Sequence, residues 1–172
     1  MSLLKIARMG HPVLTQTAEA VADPTAPEIR RLVADMIETM IDAPGVGLAA
    51  PQVHLPLRLF VMQVPAGRGG GEAVAPFAVI NPTLAFYDPE EVLRWEGCLS
   101  IPGLRGAVTR RVRIRYAGVD ENGEPVGGEV DGMHANVVQH EYDHLDGILY
   151  PMRVTDFSKF GFSEELARLE AA

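Results

Sequence analysis

Between residues 25 and 43 apolar side chains recur at helical spacing. Ile29, Leu32, Val33, Met36, Ile37, Met40 and Ile41 fall on one face of a 3.6-residue period. Thr25 and Glu28 stand at capping-box spacing, and Pro44-Gly45 closes the run, so the pattern predicts a helix from Thr25 to Ala43. Its stripe, methionines included, reads as core packing. Beyond it the period changes. Leu57 to Val64 and Phe77 to Ile80 are short apolar runs on either side of Gly67-Arg68-Gly69-Gly70-Gly71, which predicts two strands with a flexible connection. From Phe77 to Val130 β-like runs alternate with turn signals. Asn122-Gly123 predicts a hairpin, because both residues tolerate the positive φ of a type I′ turn. A second helix is expected from about Asp131 through His144 with Gly147 as its stop, and a third over Ser163 to Leu169. With strands grouped first and a helix buried late, the expected class is α+β, antiparallel β-sheets packed around a central helix.

Composition narrows the setting. A chain of 172 residues fits one domain, with 151–172 as a C-terminal tail. No apolar run approaches the ~18 residues of a bilayer span, and the N-terminus lacks a secretory or organellar leader. The chain therefore reads as soluble and cytoplasmic. Its net charge of −8 disfavours a phosphate-backbone partner. Arg110, Arg111, Arg113 and Arg115 alternate with Val112, Ile114 and Tyr116, as on a strand with one solvated face. Cys98 is the only cysteine, so no intrachain disulfide forms, and an unpaired thiol suits a reducing compartment.

The chemistry concentrates in His140-Glu141-Tyr142-Asp143-His144. Histidines four apart on a helix lie about 40° apart around the axis with ~6 Å of rise, so both can reach one cation. Glu141 projects about 100° from His140, within reach of a water beside that cation but not forced onto it. A hydrolytic site of this kind needs a third protein ligand and one open position. A metzincin would place a histidine at Tyr150 and fails. A gluzincin would use a glutamate about twenty residues downstream, where Glu164 and Glu165 lie at a polar helix start. His134, six residues before His140, faces about 120° away. Cys98 remains, a soft donor suited to a two-histidine site.

Three separated segments, Gly45-Val46-Gly47-Leu48-Ala49-Ala50-Pro51-Gln52, Glu96-Gly97-Cys98-Leu99-Ser100 and Gln139-His140-Glu141-Tyr142-Asp143-His144, resemble the signatures of the peptide deformylase family in order and spacing. The similarity includes Gly10-His11-Pro12-Val13-Leu14 and spans about residues 8 to 152. The resemblance implies that Cys98, His140 and His144 bind one divalent metal, ferrous iron by preference, with zinc, nickel or cobalt as substitutes. It implies removal of the formyl group from the formyl-methionine that begins new polypeptides. It further implies a metal that would make hydroxide available near neutral pH, the Gln52 amide and Leu99 N–H as stabilisers of the oxyanion, and Glu141 as the group that moves the proton to the departing amine. By the same matching, Gly47 and Gly97 lie beside the substrate backbone and Arg105 contacts the peptide downstream of methionine. Val46, Met133 and Val137 would line the methionine pocket.

Two positions depart from the family pattern. Asn136 stands near the pocket where an apolar or basic residue is usual, and the tail after Pro151 is not basic. Docking to the ribosome through a basic C-terminal helix, as some relatives do, is therefore not carried over. Two rivals remain. A metallopeptidase would use Glu164 or Glu165 in place of Cys98. A silent binding module would show decay at Glu141, Gln52 or Cys98, and none is seen.

Overall fold

Pro27 opens the first helix, α1 (Pro27–Asp42), where its missing N–H costs nothing. The expected cap is not used. Ala26 is the N-cap, and the Thr25 hydroxyl donates to Asp23 at 2.8 Å, closing a local turn instead. Ile29, Val33, Met36 and Met40 are buried, whereas Ile41 is exposed, so the core-facing stripe is narrower than the apolar run. The computed structural model describes residues 2–67 and 73–170, and positions 68–71 of the glycine-rich connection lie outside the described residues.

A five-stranded antiparallel sheet follows the order β1 (Gly47–Ala49), β2 (Leu59–Val64), β3 (Val74–Ala85), β6 (Ile114–Val119) and β7 (Pro125–Val130). A three-stranded one runs β4 (Glu91–Cys98), β5 (Ile101–Arg111) and β8 (Phe160–Phe162). β2 explains its own composition. Leu59 and Val61 pack with Val33, Met36 and Met40 of α1, while Phe60 and Met62 face Ala135, Val137 and Val138 of the second helix. A strand buried on both faces reads as a continuous apolar run.

That second helix, α2 (Gly132–Leu145), lies against β1 and β2 and also touches β5, so it stands between the sheets. It stops as expected. Gly147 adopts φ 72°, its N–H bonds His144 O, and Ile148 N–H bonds Asp143 O at 2.9 Å, which together make a Schellman cap. A side chain at Gly147 would collide with the backbone of Thr15. Among the described residues, no helix is long and apolar enough to cross a membrane.

Two further expectations need correction. The β6–β7 connection is not a type I′ turn: only Gly123 has positive φ, and Asp120 pairs with Glu124 around a three-residue loop. The Asp120 carboxylate accepts from the N–H groups of Asn122 and Glu124, which holds Asn122 at negative φ. The arginines do not share a strand, because β5 ends at Arg111 and β6 begins at Ile114. Period-two alternation puts Arg110 on the inner face with Val108, and both are buried. Residues 150–170, at and within the expected C-terminal tail, carry defined elements. They form a 3₁₀ turn (Tyr150–Arg153), then β8, which pairs with β5 through Leu104↔Phe162 and Gly106↔Phe160, then α3 (Ser163–Glu170).

Candidate active site

α2 presents His140 and His144 on one face, their rings edge to face with centroids 5.0 Å apart. Cys98, the last residue of β4, brings Sγ to 3.3 Å from His144 Nε2. One ligand atom from each of the three residues lies within 4.8 Å of the others. A tetrahedral cation spaces its ligands about 3.5 Å apart, so a small closure around one ion suffices. One thiolate and two imidazoles suit a borderline divalent metal. The alternative ligands fall away. Glu164 and Glu165 are exposed on α3, and His134 hydrogen-bonds Tyr116 Oη at 3.0 Å. Among the described residues Cys98, His140 and His144 form the only group of this kind.

Glu96 fixes the first histidine. Its Oε2 lies 2.8 Å from His140 Nδ1, leaving Nε2 for the site. Burial pushes the Glu96 carboxyl up, but hydrogen bonds from Arg110 and His140 outweigh it and hold the pKa at about 2. Burial likewise favours the neutral His140 ring, yet Cys98 and Glu96 raise its pKa well above the ordinary histidine value. His144, buried and facing His140, is pushed well below that value, and its Nδ1 has no partner. The two histidines thus differ in their support: one leans on a carboxylate, the other on none.

Glu141 is buried, with Oε2 unpartnered, and burial raises its pKa to about 7. Space for that carboxyl exists because residue 47 is glycine. A Cβ there would overlap the Glu141 carboxyl, so Gly47 is required by the glutamate as well as available to a substrate backbone. Gln52 sits in a 3₁₀ turn (Ala50–Val53). Its Oε1 accepts from Ala49 N–H at 2.8 Å, which directs Nε2 to Ser100 Oγ at 3.1 Å and Cys98 Sγ at 3.4 Å.

These groups open on a cavity of about 540 Å³. Gln52, Cys98, His140 and Glu141 line it together with Val46, Gly47, Gly97 and Leu99. Met133 and Val137 of α2 line it too, as does Arg105, whose guanidinium lies over the Trp95 ring at 5.6 Å. Asn136 is also on the wall, its Oδ1 buried without a partner. Sequence reasoning missed Trp95 and Ser163. Trp95 is adjacent to the Glu-Gly-Cys segment, a signal that could have flagged it; Ser163 reaches the cavity only through β8 pairing. It also missed Tyr150, whose buried ring stacks on His140 at 6.1 Å and 26°.

Similarity to known proteins shows the family. The sequence profile described as polypeptide deformylase matches residues 3–160. Peptide deformylase 1 of Nitrosomonas europaea is 46% identical over 163 residues, 94% of this chain and 93% of that protein. The crystal structure of peptide deformylase from Thermotoga maritima superposes with a TM-score of 0.81 at 39% identity, covering 90% of this chain and 99% of that one. A Met-Ala-Ser-bound class I type b peptide deformylase from Acinetobacter baumannii gives 0.82 at 33% identity, covering 88% and 98%. With a matching profile over nearly its whole length, the same fold and the Cys-His-His group in place, this chain belongs to the peptide deformylase family.

Proposed function

We propose that this chain hydrolyses the N-formyl group of the formyl-methionine that begins newly made polypeptides, with Cys98, His140 and His144 holding the metal. The observation that carries this reading is a thiol grouped with two imidazoles at a cavity that the thiol, one of the imidazoles, a buried carboxyl and an anchored carboxamide line together. When bound, the metal, ferrous iron by preference with zinc, nickel or cobalt as substitutes, supplies acidification of water so that hydroxide is available near neutral pH.

The chain's own groups do the rest. Glu141 takes the proton from the attacking water and returns it to the departing amine, and a pKa near 7 suits both directions of transfer. Gln52 Nε2 and the Leu99 N–H donate to the oxygen that becomes negative as the formyl carbon is attacked. Ala49 holds the Gln52 carboxamide so that its donor end cannot turn away. Gly47 and Gly97 leave room for the substrate backbone, and Val46, Met133 and Val137 give the methionine side chain an apolar wall. Arg105 meets the peptide beyond methionine. The A. baumannii relative that has Met-Ala-Ser bound, a peptide starting with methionine, supports this polarity. The whole chain, 1–172, acts as one catalytic domain, and its bacterial relatives support placement in a bacterial cytoplasm.

Formate release from a formyl-Met peptide tests the assignment, with anaerobically iron-loaded protein compared with Glu141→Ala. Release by the parent and its loss in the variant is the expected result. Equal rates would refute the role of Glu141, and silence in both would favour a binding module.

A further inference from the structure

Behind His140 the hydrogen bonds do not stop at Glu96. Arg110 grips both Glu96 oxygens, Nε on Oε1 at 2.7 Å and Nη2 on Oε2 at 2.9 Å. Its remaining nitrogen, Nη1, donates to Asp143 Oδ2 at 2.6 Å. Asp143 is held from its other side by Arg153, with Nε on Oδ2 and Nη2 on Oδ1 both at 2.5 Å. Five side chains therefore form an unbroken line from the His140 ring to Arg153. The Glu96, Arg110 and Asp143 side chains are 2%, 4% and 8% exposed, whereas Arg153 is 41% exposed. Arg153 belongs to the 3₁₀ turn beyond the Gly147 stop, not to α2.

We propose that Arg153 is a positioning residue for the metal site, fixing Asp143 and, through Arg110 and Glu96, the orientation of the His140 ring. The proposal rests on the reading of Cys98, His140 and His144 as ligands. Its physical basis is geometric. A guanidinium presents its donors in one rigid plane, so the bond to Asp143 and the two-point grip on Glu96 move together. Arg153 occupies both Asp143 oxygens. Without Arg153 the Asp143 carboxylate can rotate, the Arg110 fork tilts, and the bond from Glu96 to His140 Nδ1 loosens. Charge acts the same way. Two carboxylates and two guanidiniums cancel along the line, and deleting Arg153 leaves an uncompensated negative charge next to buried groups.

Cobalt(II) loading reads this out without turnover. Arg153→Met keeps an unbranched apolar stem and removes the charge and the fork; Arg153→Lys restores charge without the two-point grip. The expected result is cobalt release to excess chelator about 10-fold faster in Arg153→Met, with a shifted visible band and Arg153→Lys in between. A folded Arg153→Met protein with a lowered melting temperature but the parent's band and release rate would overturn the proposal, since a purely structural role predicts that outcome. The parent's cobalt uptake, abolished by Cys98→Ala, checks the ligand reading separately. A parent chain that takes up no cobalt would overturn that reading and this proposal together.

Discussion

Gln52 and Cys98 stand in a fixed donor–acceptor relation: the carboxamide nitrogen lies 3.4 Å from Sγ, with the oxygen end locked on Ala49 N–H. Because that lock leaves only the N–H end facing the cavity, replacing Gln52 by Glu keeps the lock and removes the donors. Deformylation by Gln52→Glu should fall about 100-fold in kcat, the usual scale for one lost oxyanion donor. Metal content measured by atomic absorption should stay near one per chain. A variant that loses both together would assign Gln52 to the metal shell instead.

Gly47→Ala tests the contact with Glu141. The added methyl overlaps the carboxyl, which must swing aside. Far-ultraviolet circular dichroism should remain native, because β1 is a short edge strand. kcat should drop by about 100-fold, the scale of a misplaced catalytic group. Unchanged turnover would show that the carboxyl has freedom to spare.

Removing the metal exposes a cost at Glu141. Its folded pKa is about 7 against 4.5 for an ordinary glutamate, so the folded state keeps a proton that the unfolded state releases between those values. Stability therefore falls as pH rises from 4.5 to 7 and stays low above. In chelator-treated protein, Glu141→Gln should be more stable than the parent at pH 8 by about 2–3 kcal/mol and equal to it at pH 4. Urea melts at the two pH values measure this; a gain at pH 4 as large as at pH 8 would rule the linkage out.

Glu96 has the opposite sign. Its pKa is held at about 2, so the stability it contributes is present above 4.5 and is lost as pH falls from there towards 2. Glu96→Gln should unfold more readily at pH 7, on the scale of 3–5 kcal/mol for a broken buried pair. It should also lose the parent's steep decline in that acid window, followed by fluorescence of Trp95 during acid titration.

The third ligand is decided by metal retention. Cys98→Ala should purify with no bound metal, while Glu164→Ala and Glu165→Ala retain it fully. Retention in Cys98→Ala would restore the metallopeptidase alternative.

Much of this site was legible because its parts are local. His140, Glu141 and His144 share one helix, and Cys98 and Gln52 are embedded in short distinctive segments. The α1 stripe and the Gly147 stop were equally local, resting on period and on one φ. What stayed hidden depends on distant pairing. Arg110 looks like a surface strand residue until β5 turns it towards Glu96 and Asp143. The Thr25 cap failed because Asp23 offered a nearer partner, and the type I′ turn failed because Asp120 captured the loop amides. In the sequence Tyr150 reads only as the place where a metzincin histidine is missing, and its stacking on His140 is a contact no spacing encodes.

The strand order has a consequence for biosynthesis. β8 completes the small sheet beside β5, yet it is translated after α2, and Arg153 precedes it only briefly. A growing chain whose emerged part ends just beyond His144 would hold all three donors while lacking the edge that covers β5 and the arginine that steadies Asp143. Until the next segment emerges, such a chain should trade metal more freely than the finished one, because Arg153 does not yet steady Asp143.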